Sequence, residues 1–395
     1  MQLKRAPSAR ARRSRSPSAW RCAARRALLC PVAIAIAIAI AISLGSTPAA
    51  HADRRAEVGL AVYADDDDVT VVRPSALLAA PTGRAELTAE VVIDIVSAAS
   101  VDLVSRASPR GFQETRVEPA LTLSLPLSRL ATLALRGFGS TEPDFDMLGA
   151  SAGVSLDSAS RADTVGLTYA LSQAEVGRAD DPGHRRGRTT MQLAASWTRV
   201  TDRAGYVDVV LEGELQVGAL ANPYRYVPIE TSTGVHCCSV PERTPDLRAT
   251  LAALLRVRRA LAHDRLFLHA DYRLAADGWG LTSHTVSARA LMTVSPRAVL
   301  GASARGYLQS AADFHRTRYL GADTVPAYRT RDRNLGRERS ASLGLACELA
   351  LGDVPAADGA HLTAAATWLA LLWPGDPLQQ RRDALLATVS LEVPF

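Results

Sequence analysis

The 395-residue chain predicts an all-β fold, a transmembrane antiparallel β-barrel of about 16 strands behind a cleaved signal peptide. Three observations carry that expectation: a basic then apolar N-terminal segment, a period-two alternation of apolar and polar residues repeated along the rest of the chain, and connections that alternate between short and long.

The leader comes first. Lys4, Arg5, Arg10, Arg12, Arg13, Arg15, Arg21, Arg25 and Arg26 form a basic region without acids, followed by the apolar run 27–44 and then Ala50-His51-Ala52. A basic region, an apolar region and an A-x-A site read as a secretory signal, so residues 1–52 are assigned to the signal peptide and 53–395 to the barrel. An uncleaved anchor is the alternative. Cys30 precedes the Ala-Ile run, so a lipid attached there would have no apolar segment upstream. The leader holds nine of the 45 Lys and Arg residues, which leaves 36 against 40 Asp and Glu, about −4 rather than the +5 of the whole chain. The basic balance therefore belongs to the leader, and a nucleic-acid partner loses its main support.

After the leader no apolar run reaches the 18 or so residues of a membrane helix. Strand-like segments follow instead, near 56–64, 69–80, 85–96, 115–125, 130–139, 147–157, 163–173, 188–199, 206–217, 247–258, 265–275, 281–294, 298–309, 339–351, 360–371 and 382–395. In the fourth, Val117, Leu121, Leu123 and Leu125 oppose Arg116, Glu118, Thr122 and Ser124. In the ninth, Val207, Val209, Leu211, Leu215 and Val217 oppose Asp208, Glu212, Glu214 and Gln216. Leu266, Leu268, Tyr272 and Leu274 oppose Arg265, His269, Asp271 and Arg273, and Leu343, Leu345, Leu349 and Leu351 oppose Ser340, Ser342, Gly344 and Glu348. The last segment runs Leu385, Ala387, Val389, Leu391, Val393, Phe395. A strand sends alternate side chains to opposite faces, whereas a helix would scatter these acids around its circumference. Lengths of roughly 9 to 14 residues suit tilted strands crossing a bilayer better than the shorter strands of soluble sandwiches.

Short turns at 81–84, 126–129, 157–161, 201–205, 259–264 and 295–297 alternate with longer polar loops at 97–114, 174–187, 218–246, 310–338 and 372–381. That asymmetry describes an outer-membrane barrel with both termini on the short-turn side; the few-residue loops at 65–68 and 276–280 must then lie on the long-loop side and break the size rule, and a count of 14 or 18 strands would fit as well.

At this point the chain resembles something known. The final strand ending in Phe395 looks like the terminal signature by which periplasmic chaperones and the barrel-assembly machinery receive outer-membrane proteins. The stretches VDLVSRASPRGFQETR (101–116), STEPDF (140–145) and DGWGLTSH (277–284) resemble an uncharacterised domain-of-unknown-function family of Gram-negative outer-membrane β-barrel proteins. The resemblance implies a fold, an outer-membrane location and outer-membrane lipid as a partner, with no established activity. Only 5% of the residues are aromatic, so interfacial girdles would be thin, drawn from Phe138, Tyr169, Trp197, Tyr206, Trp368 and Trp373.

Turning the more apolar face of each strand to lipid puts Glu86, Glu90, Asp94, Asp208, Glu212 and Glu214 inside, with Arg248, Arg256, Arg265, His269, Asp271, Arg273, Arg289 and Arg305 facing the same lumen. Arg at a lipid-facing midplane position costs about 2 to 4 kcal/mol, which enforces the sorting. Such a lumen would select permeants by charge, and a porin-like passive channel for small polar or charged solutes is the expected function. The rival is a non-conducting structural or surface-interaction barrel whose acids and arginines pair and brace or plug the wall. The 310–338 loop carries Arg316, Arg318, Arg329, Arg331 and Arg333, continued by Arg337 and Arg339. Folded inward it would attract anions, folded outward it would meet lipid phosphates, and left in water it would be a solvated, mobile segment, the ordinary fate of a charge run.

Other chemistry is weaker. Ser283-His284 near Asp271 or Asp277 has the residue types of a hydrolase, but neighbours on a strand face opposite ways, while a serine and its base need hydrogen-bond reach; no catalytic residue is assigned. His236-Cys237-Cys238 lies in a long loop of an oxidising compartment, where a vicinal disulfide or a thiol pair is expected rather than a metal site. Asp65 to Asp68 on one tight turn cannot supply the six to eight oxygens calcium needs, and a solvated loop tip is expected. No cofactor is implied. Residues 247–275, rich in Ala, Leu and Arg, allow amphipathic helices, which would favour a periplasmic sandwich. Pro119 inside the fourth strand removes a ladder donor.

Overall fold

The computed structural model describes residues 54–98, 112–178, 180–181, 183–262, 265–321, 325–352 and 359–395; the signal-peptide assignment at 1–52 and the 101–111 stretch lie outside them. The strands are β1 (Arg55–Asp65), β2 (Thr70–Thr82), β3 (Ala85–Ala98), β4 (Phe112–Pro126), β5 (Ala131–Glu142), β6 (Phe145–Asp157), β7 (Asp163–Val176), β8 (Arg186–Asp202), β9 (Gly205–Gly218), β10 (Tyr226–Glu230), β11 (His236–Pro241), β12 (Leu247–Leu261), β13 (Leu266–Asp277), β14 (Thr282–Ser295), β15 (Ala298–Gln309), β16 (Tyr319–Leu320), β17 (Glu338–Ala350), β18 (His361–Leu372) and β19 (Arg381–Pro394). Sixteen of them close into one antiparallel ring, each beside its sequence neighbour, and β1 against β19 completes it with Arg55 opposite Pro394 and Asp65 opposite Ala384. Closure leaves no edge strand with unpaired amides.

Residues paired across a ladder share a face. One such row crosses six strands as Leu121, Gly137, Ala150, Leu171, Met191 and Leu215. Another runs Thr198, Asp208, Arg256, Asp271, Ser287, Arg305, Ser342. Ion pairs on the polar face reach over an intervening strand: Arg136 on β5 to Glu90 on β3, and Arg273 on β13 to Glu212 on β9. Side chains two strands apart converge only on a concave surface, so the polar face is the interior. The convex face exposes large apolar side chains, Leu193, Leu211, Leu251, Leu343 and Leu345 among them. Such a face over a whole barrel is an acyl-chain surface rather than a water surface.

The segment with helix-forming composition is strand, as β12 and β13, because its apolar residues recur every two positions and both neighbours offer ladders. Pro119 is accommodated: β4 pairs β5 at Val117 and at Ala120, and the ladder lapses between them, where Pro119 comes against Gly139. Phe138 faces inward over Gly149, where even one added carbon would lie 2.5 Å from the ring. It is thus no girdle residue. Trp373 is buried in a loop and is none either, while Tyr169, Trp197 and Trp368 stand on the outer face.

Except for the β1–β2, β5–β6 and β13–β14 turns, the short turns share one end with both described termini and with the β17–β18 connection. At the other end, β10, β11 and β16 form a small sheet in which β10 pairs β11 antiparallel and β16 parallel. The two loops carrying them, 219–246 and 310–337, thereby fold together into a cap around the buried cluster Val227, Ile229 and Tyr319.

Candidate functional site

The interior wall is a lattice of opposite charges built by register. Arg256 donates to Asp208 at 3.1 Å, and Thr198 donates to the same carboxylate at 2.9 Å. Arg273 lies 2.9 Å from Glu212, Arg136 3.1 Å from Glu90, Arg73 3.5 Å from Asp94 and Arg55 3.8 Å from Glu86. Gln192 donates to Glu214 at 2.6 Å. Arg248 meets Asp277 at 2.6 Å and lies over the Trp279 ring. Asp271 accepts from Arg258 at 2.5 Å and from Ser287 at 3.2 Å. The half-exposed pairs, such as Arg136 with Glu90 and Arg273 with Glu212, contribute at most about 1 kcal/mol each, so that part of the lattice shapes the wall more than it stabilises it.

His269 stands opposite Arg289, and Arg289 opposite Ser303; Arg305 stands between Ser287 and Ser342. Neither Arg289 nor Arg305 has an ion pair among the described residues, although Arg305 lies over the Tyr307 ring. Arg265 departs from its expected place. It sits in the turn before β13, not in a strand, because its amide closes that turn onto Ala262. Arg73, Arg116, Glu118, Arg136, Arg258 and Asp277, which the sequence did not place among the lumen charges, are the partners that complete the lattice. The signal was available in the parity of β4, where Arg116 and Glu118 share a face with the other interior charges.

Three arginines of the basic loop are engaged rather than left to solvent. Arg318 donates to Glu230 through Nε at 3.0 Å, Arg329 donates to the carbonyls of Pro241 and Pro326 at 3.0 Å, and Arg333 is buried against Asp376 and Gln379. Thr330, fully buried, donates to Glu242, and its amide donates to the Tyr319 hydroxyl at 2.9 Å. Acids in neighbouring loops hold Arg318 and Arg333, and backbone carbonyls hold Arg329, so this part of the charge run is an interface. Arg316 and Arg331 have no ion pair among the described residues. The Asp65 to Asp68 turn is likewise engaged, with Arg382 2.7 Å from Asp67 and 3.5 Å from Asp65.

Ser283 is buried on the inner face of β14, and His284, on the outer face, shares a 2.8 Å hydrogen bond with the Tyr272 hydroxyl. Glu114, Glu142 and Asp144 gather their carboxylates within 4.8 Å of one another, beside Arg116.

Within the cap, burial pushes the His315 pKa below the ordinary imidazole value. The folded state therefore disfavours the imidazolium that the unfolded loop accepts at about 6.5. Cap stability is full above that value and is lost as pH falls through the window below it. Protease cleavage of the 310–337 loop is expected to accelerate on acidification below about pH 6.5, and His315→Gln to remove that component. An unchanged profile in the variant would exclude His315 as its source.

A closed strand ring with an apolar convex face and a charged interior is a transmembrane β-barrel, and the fold resembles bacterial outer-membrane proteins. Residues 177–360, from the β7–β8 loop to the start of β18 and including the cap, match a family described as "Protein of unknown function (DUF3570)". Among solved structures, the chain is similar to a bacterial polysaccharide outer membrane secretin (10% identity, 88% of this chain and 100% of that one, TM-score 0.49). It is also similar to a deltaS2 mutant of the TodX monoaromatic hydrocarbon channel (10%, 88% and 91%, 0.44) and to OccK9 (OpdG) of Pseudomonas aeruginosa (10%, 87% and 98%, 0.41). No curated protein matches the chain.

Proposed function

We propose that this protein is exported by its N-terminal leader, handed to the assembly machinery through the strand ending in Phe395, and serves in the outer membrane as a passive pore for small polar or charged solutes. The observation that carries the reading is solvent access inside the ring. The interior side chains of Arg73, Arg136 and Arg256 remain 48%, 43% and 44% exposed although they stand on the concave face. Barrels of about this strand number keep an aqueous passage. Most interior charges are paired, so their fields cancel locally, while Arg289 and Arg305, which have no ion pair among the described residues, add positive field that acts on a permeant, offset in part at Arg305 by Glu338.

Refolded protein without its leader is expected to give discrete single-channel conductance steps in planar bilayers. Arg289→Gln with Arg305→Gln should shift the chloride-over-potassium permeability ratio several-fold toward potassium while the steps persist. A folded barrel that gives no steps would overturn the pore. The cap favours a second reading, a surface-interaction barrel, because two long loops are built into one ordered surface rather than left as separate tips. Binding to a cell-surface partner without conductance would select it, and lipid hydrolysis abolished by Ser283→Ala would select an enzyme.

A further inference from the structure

In a regular strand adjacent side chains point to opposite faces, so neighbouring cysteines hold their sulfurs apart. In the cap they do not. β11 pairs β10 with Cys238 opposite Ile229, but the next pair is His236 with Glu230, which leaves Cys237 as the extra residue of a β-bulge. The bulge turns both side chains the same way, and the two Sγ atoms lie 3.0 Å apart. Closing to a disulfide bond of about 2.05 Å then needs a sulfur movement of about 1 Å. The environments differ: Cys237 is exposed, while Cys238 packs against the Val227, Ile229 and Tyr319 cluster. Cys347 is far from this chemistry, on the outer face of β17.

We propose that Cys237 and Cys238 form a thiol–disulfide exchange site that closes to a vicinal disulfide when it meets an external low-molecular-weight disulfide. The exposed Cys237 thiolate attacks one sulfur of the external disulfide, forming a mixed disulfide and releasing the first external thiol. Cys238 then gives up its proton and attacks the Cys237 sulfur, releasing the second external thiol. Two protein thiols are oxidised, one external disulfide is reduced to two thiols, and no other oxidant is required. The Cys238 pKa is raised by its sulfur contact with Cys237 and by burial, consistent with Cys237 as the residue that attacks first. Because Cys238 belongs to the cap cluster, closure ties the bulge of β11 to the packed side of the cap. The assignment does not depend on whether the barrel conducts.

The test uses the full leaderless barrel, reduced, freed of reductant and treated with oxidised glutathione. Intact mass is expected to fall by two hydrogens without retained glutathione, and peptide mapping should place the bond within the 237–238 pair. Cys238→Ser should trap one glutathione on Cys237, and Cys237→Ser should form its adduct about tenfold more slowly, as access to the remaining thiol dictates. Urea-unfolded protein, which lacks the bulge, should accumulate mixed disulfide before it closes. Stable glutathione adducts on the folded wild type, two persistent free thiols, or equal trapping rates in the two variants would overturn the proposal.

Discussion

Leu345→Arg is expected to lower the stability of the lipid-embedded barrel by about 2–4 kcal/mol, the cost of an arginine near the bilayer midplane. Leu345 lies near the middle of β17, between Ala302 and Ala366 on the convex face, and is 70% exposed. An exposed leucine on a water-soluble protein would tolerate the change within about 0.5 kcal/mol, so the substitution separates a lipid face from a wet one. Leu386 supplies the control, since it is also exposed but faces inward beside Arg73 and Glu114. Leu386→Arg should leave stability nearly unchanged and alter only the interior charge. Urea titration of the three proteins folded in lipid vesicles reads the difference. Equal midpoints for both variants would mean that the convex face is not solvated by acyl chains.

The ring was legible because its two strongest determinants are local. Period-two alternation fixes which residues share a face, and in an antiparallel ring the order of the strands fixes which end each connection occupies, even where β1–β2, β5–β6 and β13–β14 break the short-and-long rule; neither needs knowledge of a distant contact. Thus β9, β12 and β13 could be placed from Val207 to Leu274 although helix propensity in Leu247 to Leu261 pointed elsewhere. The pairing of Asp208 with Arg256 was open to the same reasoning, since both fall on the inner face of strands joined through a long loop. What parity could not supply was registry. A shift of two residues keeps every face assignment while exchanging every ion-pair partner, so the choice between a free basic arc and a paired lattice waited for the ladders themselves.

The cap was illegible for a different reason. Its sheet joins β10 to β16, nearly ninety positions apart in the chain and each too short for a periodic signal. Five arginines without an apolar pattern read as solvent-facing, because the partners that hold three of them are not local in pattern: Glu230 for Arg318 and Asp376 for Arg333 lie on other loops, and Arg329 is held by backbone carbonyls. The one local clue was composition. A loop that spends Tyr319, Val325 and Tyr328 among its arginines has apolar surface to bury, and a merely solvated loop has no use for it.

Arg333→Met should open the cap while the barrel stays closed. The Arg333 side chain is 5% exposed; its Nε lies 3.3 Å from Asp376, its Nη1 donates to Gln379 at 2.6 Å, and its guanidinium lies over the Trp373 ring. It is the bolt between the 310–337 loop and the β18–β19 loop. Burial alone would raise the Asp376 pKa, but the amides of Gln379 and Leu378 and the arginine outweigh burial and hold the carboxylate below its usual range. That contribution is present above the ordinary carboxylate pKa and is lost as pH falls through the lowered one. Removing the cation leaves a buried anion without its partner, a loss of about 3–5 kcal/mol. Where proteolysis follows the population of the open form, cleavage of the 310–337 loop should rise by roughly two to four orders of magnitude. Adding Asp376→Leu to Arg333→Met should restore much of the resistance, because an apolar pair of similar size requires no desolvated charge. If the single variant resists protease as the wild type does, the cap is held by its apolar cluster alone; if the double variant remains as open as the single, the arginine acts through Gln379 and Trp373 rather than by neutralising Asp376.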